Sequence, residues 1–467
     1  LPSVSVTVTG NHAGGAEVYV PGPYLAAPAV PFNPITASVP GGVTVNSVTY
    51  VDPTHVTLDL NTVAATLGGK NITITNPDGQ SATSNNVVFV GTAPASPILI
   101  GEFRFRGSAG GNDEFIEIYN NTNSPITVAD SGGGTGYAVA GTNATGTNST
   151  RFVIPNGTVI PARGHYLGTN SGAAGYSLGG YAAGDTTYAT GIVDGGGIAV
   201  FSTTVTANWG TNTRFDAVGF AGITGTTLFT EGTALAPSGG IVTSPAGVEY
   251  SFVRKMTGTS GGLPQDTDSN NADFAFVSTN GAVVSTRQPS LGAPGPENLA
   301  SPIQRNTLFG FTNLDPGVST SNSPNRSRDF TSDPANNSTF GTMSIRRTVT
   351  NSTGASVTRL RFRIVDITTF PTIAGVADLR ARSSSAGVIG IAGSNPACPA
   401  QACPMTPLTL ETPPAQTSGG GLNSSLAVGT VALGTPLLNG QSINVEFLLG
   451  VQQTGNFRFL VNVEALP

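Results

Sequence analysis

Charge is what this chain has least of. Asp, Glu, Lys and Arg make up 10% of its 467 residues, lysine occurs only at Lys70 and Lys255, and histidine only at His12, His55 and His165. The formal net charge of −6 selects neither a polyanionic nor a polycationic partner, so no nucleic acid is expected to bind. A run of about 18 apolar residues is missing, which excludes a helical membrane span. Sustained helical periodicity is missing too, and short helices are allowed only near residues 63–67 and 376–382. Cysteine is confined to Cys398 and Cys403, in NPACPAQACPM. With no His or third Cys nearby, the pair suits a small disulfide ring in an oxidising compartment, two free thiols being the alternative.

What is present is glycine (62 residues), proline (33) and much Ser, Thr and Asn. A polar but uncharged surface fits a secreted, extracellular or cell-surface protein better than a cytosolic enzyme. Leu1 without a preceding Met is what removal of a signal peptide would leave. Disorder is not the reading, because Val, Ile, Leu and Phe recur in alternating runs over almost the whole length. Such a length suggests about three or four domains.

Three segments emerge, 1–92, 98–298 and 301–467. In the first, the runs VSVTV, VTVNSVTYV, HVTLDL, NITITN and NNVVFV are separated by turns at the spacing of a β-sandwich. Its stretch GKNITITNPDGQSAT, with the turn Asn76, Pro77, Asp78, Gly79, resembles the late strands of a TIG-type immunoglobulin-like domain. In the second, GEFRFRGSAGGNDEFIEIYNNT (101–122) resembles the opening hairpin of the lamin tail domain. FVIPNGTVIPARGHYLGTN, GGGIAVF, TRFDAVGF, YSFVRK and DTDSNNADF follow in the order of that family. The resemblance implies an immunoglobulin-like sandwich, here enlarged by Gly/Thr-rich insertions at 131–150, 171–191 and 221–246. The third segment looks like a terminal β-sandwich of bacterial surface proteins, without a named family. The fold class expected is therefore all-β, as tandem immunoglobulin-like β-sandwich domains.

Candidate chemistry is sparse. Residues 258–262 satisfy Gly-x-Ser-x-Gly around Ser260, yet a nucleophile elbow needs a strand before it and a helix after it, and Leu-Pro-Gln-Asp follows. Asp266, Asp268, Asn270 and Asp273 carry oxygens at mostly alternate positions, as a calcium loop would or as Asx turns would. The glycine and distant glutamate of an EF-hand are missing. No other cofactor is expected. Glu102, Asp113, Glu114 and Glu117 cluster in the hairpin, where paired carboxylates suggest acid/base work, or ion pairing to Arg104 and Arg106. In VTRLRFRIVD, Arg359, Arg361 and Arg363 share one face and Leu360, Phe362 and Ile364 the other. That arginine face is either solvated or an interface; no aromatics interleave it for base stacking.

The function expected is that of a non-catalytic, secreted structural subunit of a cell-surface filament or array, whose partners are copies of itself. The first ninety residues hold one basic side chain, Lys70, and residues 301–467 hold eleven Arg against eight acids, a weakly acidic head and a weakly basic tail that favour head-to-tail contact. Strand addition would use the two ends: Ser3, Val4, Val6 and Val8 at the head, Phe457, Phe459 and Val461 at the tail, with the arginine face as a further candidate. The alternative is an adhesin or carbohydrate-binding protein, in which Trp209 and Tyr166, Tyr176, Tyr181 and Tyr188 stack on sugar rings of a glycan partner.

Overall fold

Alternating sequence becomes paired sheets almost throughout, in a computed structural model that describes residues 4–9, 35–52, 54–62, 64–66, 68–77, 79–90, 96–142, 145–223, 228–256 and 262–467. Ser3 and Ser260 lie outside the described residues. The chain divides into two compact units, Leu1–Pro94 and Ala95–Pro467, so the 98–298 and 301–467 segments belong to one unit.

In the first unit, Val4–Thr9, His55–Asn61 and Thr44–Asp52 form one antiparallel sheet in that order, and Thr36–Ser38, Gly68–Thr75 and Ser81–Val90 form another. Val56, Leu58 and Leu60, two apart along one strand, meet Ile72 of the other sheet in a dry core. The Asn76 carbonyl accepts from the Gly79 N–H at 2.9 Å, closing the hairpin where the NPDG signature stands, and Gly79 takes the positive φ (86°) that the turn requires.

The second unit holds two sandwiches. The first sets a four-stranded sheet (Asn148–Pro155, Gly136–Thr142, Gly197–Phe201, Arg214–Gly219) on a seven-stranded one. Ile98–Arg104 and Phe115–Asn120 lie at the middle of the latter, flanked by His165–Asn170 and Tyr250–Arg254. Ile116 and Ile118 point into the core between the sheets, so Phe115, Glu117 and Tyr119 take the outer face. The second sandwich sets a five-stranded sheet (Ile303–Gln304, Phe459–Leu466, Arg359–Ile367, Ser425–Ala427, Thr409–Leu410) against a seven-stranded one built on Thr342–Asn351 and Ser442–Gln453. Its core is rich in phenylalanine, with Phe362 and Phe447 edge-to-face at 5.1 Å.

Both terminal strands are paired within the chain. Val4, Val6 and Val8 stand opposite Leu60, Leu58 and Val56, which leaves Val4–Thr9 at the end of its sheet. Phe459 and Val461 stand opposite Ile367 and Ile364, and Phe457 lies just before that strand. The tail is therefore not a free ribbon, because its apolar side chains are needed in the core of its own sandwich. Residues 378–382, in one of the two stretches where a short helix is allowed, form a strand: Leu379 and Ala381 enter the core while Asp378 and Arg380 pair on the other face. Among the described residues, no helix is long and apolar enough to cross a membrane.

Candidate functional site

Alternation in Arg359–Ile367 works as the sequence requires on one side, where Leu360, Phe362 and Ile364 are buried in the core. On the other side, Arg361 and Arg363 are only 1% and 3% exposed, so this face is neither solvated nor open to another subunit. The outer face of the first sandwich covers it, and Arg359 alone stays exposed, 3.8 Å from Glu411. Covering two guanidiniums is tolerable only with carboxylates in place.

Those carboxylates come from both sandwiches. Glu464, across the ladder on Phe459–Leu466, takes the Nε of Arg361 at 2.5 Å and the Nε of Arg363 at 2.7 Å. Glu297, from the segment joining the sandwiches, bonds Arg361 through Oε1 and meets Arg363 at 3.2 Å through Oε2. His165 then extends the chain of contacts into the first sandwich. Its Nε2 is 3.2 Å from Glu297 and its Nδ1 is 3.0 Å from Glu117, whose other oxygen accepts the Glu297 N–H. Glu102 completes the cluster by accepting from Ser251 Oγ at 2.5 Å and from Asn423 Nδ2 at 3.0 Å. Tyr181 stands over the Arg361 guanidinium and shares its hydroxyl with Ser425.

The protons can be placed from geometry. A neutral imidazole has one N–H, so with both carboxyls ionised the contacts from both nitrogens make His165 the imidazolium. Burial opposes that charge, but Glu297 and Glu117 outweigh it and raise the pKa. Three cations then face Glu117, Glu297, Glu464 and Glu102, with Glu411 also 3.4 Å from Arg361, so carboxylates outnumber cations in the site. Burial raises the pKa of Glu297 as well, against the pull of Arg363, and burial together with the neighbouring Glu117 pushes Glu102, which has no guanidinium bonded to it, up to about 8. Glu464 is the opposite case. Burial works against its charge, yet Arg363 and Arg361 hold it down at about 2.

The space left among these side chains is about 30 Å³, enough for two or three water molecules at roughly 10–15 Å³ each. Glu102 and Glu117 thus face one small cavity, as paired carboxylates in a catalyst must face one cleft, and a larger hollow of about 300 Å³ adjoins it at Arg254, Met256, Arg363 and Asn423. Glu117, His165 and Glu297 also lie close enough together to be considered as metal ligands. Both nitrogens of His165 are already turned to carboxylates, and guanidiniums supply the positive charge.

A second buried cluster sits beside it. Arg254 bonds Asp216 and the Ile100 carbonyl, lies over the Phe274 ring at 4.6 Å, and approaches Asp266 and Asp273 at 3.7 and 3.9 Å. Asp266, Asp268, Asn270 and Asp273, the calcium-loop candidates, do not converge as one ligand set, and Asp266 instead lies close to Asp216 and Glu231. Asp273 accepts from the Thr267 and Ser269 N–H groups, capping its own turn. Asn270 points away, accepting from the Gly219 and Glu231 N–H groups. Asp268 adopts a positive φ (53°) in the turn, and Asp266 faces Arg254. The Arg254 guanidinium thus lies beside Asp266 and Asp273, and Asp273 caps its own turn in the manner of an Asx turn.

The other expected residues are engaged separately. Arg104 pairs with Asp113 and Glu249, and Arg106 with Asp194, not with Glu117. Glu114 accepts from Asn170 and the Ile192 N–H, and its burial pushes it up to about 7. Cys398 and Cys403 are bonded to each other. Tyr166 and Tyr188 are buried against Phe152, and Tyr176 packs edge-on to Phe115. Trp209 is half-buried, its ring stacked on Phe201 at 4.7 Å. Sequence reading missed Glu297, Glu464 and His165, whose partners lie far along the chain; the one available signal was the carboxylate of Glu464 in a strand whose other residues, Asn462 apart, are apolar. Comparison with protein-family models, curated proteins and solved structures finds no match to this chain.

Proposed function

We propose that this chain is a secreted structural subunit of a cell-surface filament or array, assembled from immunoglobulin-like sandwiches of the TIG and lamin-tail kinds. The observation that carries this reading is the buried ion cluster. Its Arg361, Arg363, Glu297, Glu464, His165 and Glu117 side chains bind two sandwiches into one block around a cavity of about 30 Å³. Buried charges that neutralise one another across an interface fix how two bodies pack, which suits a part that bears load. The strand Val4–Thr9 supports assembly, because it ends its sheet with one edge unpaired among the described residues. Negative-stain electron microscopy of the purified chain over a concentration series tests the reading. Regular polymers or arrays are expected; dispersed single particles at every concentration would refute it.

A specific observation favours carbohydrate binding as the second reading. A hollow of about 380 Å³ opens beside Trp209, walled by Asn208, Asn212, Thr213 and Ser131. One aromatic plane among amides and hydroxyls is the composition a sugar ring needs. Glycan-array binding by the native chain, lost in Trp209→Ala, would support it.

A further inference from the structure

The second sandwich is open along one side. Its five-stranded sheet is bordered there by Phe459–Leu466, which Ile303–Gln304 covers only at Glu464 and Ala465. The facing sheet is bordered by Phe309–Asn313 and Arg326–Asp329, which pair with successive halves of Thr342–Asn351. Between the two borders runs a groove of about 280 Å³ lined by Phe311, Phe447, Phe457 and Phe459 together with Arg326 and Arg347.

Arg347 stands where the strand pattern calls for an apolar residue. Along Thr342–Asn351, Met343, Ile345 and Val349 turn inward, and Arg347 shares their face, across the ladder from the core residue Val445. Arg326 lies opposite Ile345 on the border strand, hence on the same face. Neither guanidinium has a carboxylate within 4 Å among the described residues. Arg346, one residue away on the other face, has one, with its Nε 2.8 Å from Glu446. Arg347 donates only to the carbonyls of Asn325 and Arg346, and Arg326 lies over the Phe457 ring at 5.6 Å. Burial and the like charge of Arg326 lower the Arg347 pKa. Two inward guanidiniums without a counter-charge are complementary to an anion.

The apolar wall describes the rest of the ligand. Phe311, Phe362, Phe447 and Phe459 form an arc of edge-to-face rings, with successive centroids 6.2, 5.1 and 5.5 Å apart. The two ends of the arc, Phe311 and Phe459, stand on opposite banks of the groove, and Phe311 is 41% exposed. A further planar ring set between them continues the same packing.

We infer that this groove is a binding site for a small aromatic acid, whose ring lies between Phe311 and Phe459 and whose carboxylate is held by Arg326 and Arg347. Polar groups converging beside an apolar wall are the make-up of a small-molecule site. At about 280 Å³ the groove is near the lower end of the roughly 300–1,000 Å³ that such sites span, which suits a compact ring system. Guanidiniums recognise a carboxylate by geometry as well as by charge, and a neutral amide of the same shape does not match them.

The test uses the full chain with naphthoate as the probe, its binding followed by equilibrium dialysis, and naphthamide as the neutral control. Arg326→Met and Arg347→Met keep an apolar stem and remove the charge. The first side chain rests only on Phe457 and the second faces Ile345, Val349 and Val445, so both variants should fold, which circular dichroism verifies. Arg359→Met, at an exposed arginine outside the groove, is the control variant. The expected result is a single saturable site whose affinity falls at least about ten-fold in each groove variant and for naphthamide, and is unchanged in Arg359→Met. Naphthoate that does not bind, or that binds both groove variants as it binds wild type, would overturn the inference. So would naphthamide bound as tightly as naphthoate. Dodecanoate bound in the same arginine-dependent way, with naphthoate left unbound, would overturn the aromatic class in favour of a fatty acid. Neither acid bound, with the groove variants self-associating more strongly than wild type in sedimentation, would overturn it too and leave the arginines as guards of an open sheet border.

Discussion

Replacing Glu102 by glutamine should flatten the dependence of stability on pH. Glu102 is 2% exposed and faces Glu117, and its pKa is pushed from 4.5 up to about 8. A carboxyl with a raised pKa binds its proton more tightly in the folded chain, so its contribution is complete below pH 4.5 and is lost as pH rises through about 8. That interval, from 4.5 to about 8, amounts to at most about 5 kcal/mol at roughly 1.4 kcal/mol per unit. Glutamine imitates the protonated acid: its oxygen still accepts from Asn423 and Gly295, and its amide can donate to Ser251 Oγ. The variant should match wild type to within about 1 kcal/mol at pH 5 and exceed it by at least about 2 kcal/mol at pH 9. Trp209, the single tryptophan, lies in the second unit, so urea unfolding followed by its fluorescence reports on that unit. Parallel profiles for variant and wild type between pH 5 and 9 would refute the assignment of the proton to Glu102.

Four further outcomes are expected. Glu464→Gln leaves Arg361 and Arg363 short of one partner and should cost about 3–5 kcal/mol in urea unfolding, whereas Asp366→Asn, opposite the exposed Arg458, should cost below about 1 kcal/mol. Because Glu464 is held at about 2, wild type should also lose stability as pH falls from 4.5 towards 2, and Glu464→Gln should lack that limb. Serine at both Cys398 and Cys403 opens a ring of short sequence separation (5) and should lower stability by about 2 kcal/mol, by the same assay. Gly168→Ala would bring a methyl to 2.2 Å from the Phe152 ring, and calorimetry should show a loss of about 1–3 kcal/mol.

Local features of the fold were legible because they are written in neighbouring residues. Alternation placed Leu360 and Phe362 inside and put Glu117 opposite Ile116 and Ile118, and the Asn76–Gly79 turn and the Cys398–Cys403 ring followed from composition and spacing. What covers an outward face is not written there. A strand bearing arginine at every second position has the same pattern whether water or another sandwich lies against it. The residues that decide the matter at Arg361, Glu297 and Glu464, lie 64 and 103 positions away. The Asp266 to Asp273 run illustrates the same limit: oxygen spacing is common to a cation loop and a self-capped turn, and only the guanidinium of Arg254, brought in from another strand, tells them apart.

The placement of Ile98–Arg104 and Phe459–Leu466 has a mechanical consequence. These are the first and last strands of the second unit, and each has a neighbour on both sides. Tension applied to the two ends of this unit must slide Ile98–Arg104 past two neighbours, whereas Phe459–Leu466 has its second neighbour, Ile303–Gln304, only at Glu464 and Ala465, so the load there falls mainly on the ladder to Arg359–Ile367. The same strands carry Glu102 and Glu464, so a pull entering by one and leaving by the other passes through the electrostatic joint before it reaches either hydrophobic interior.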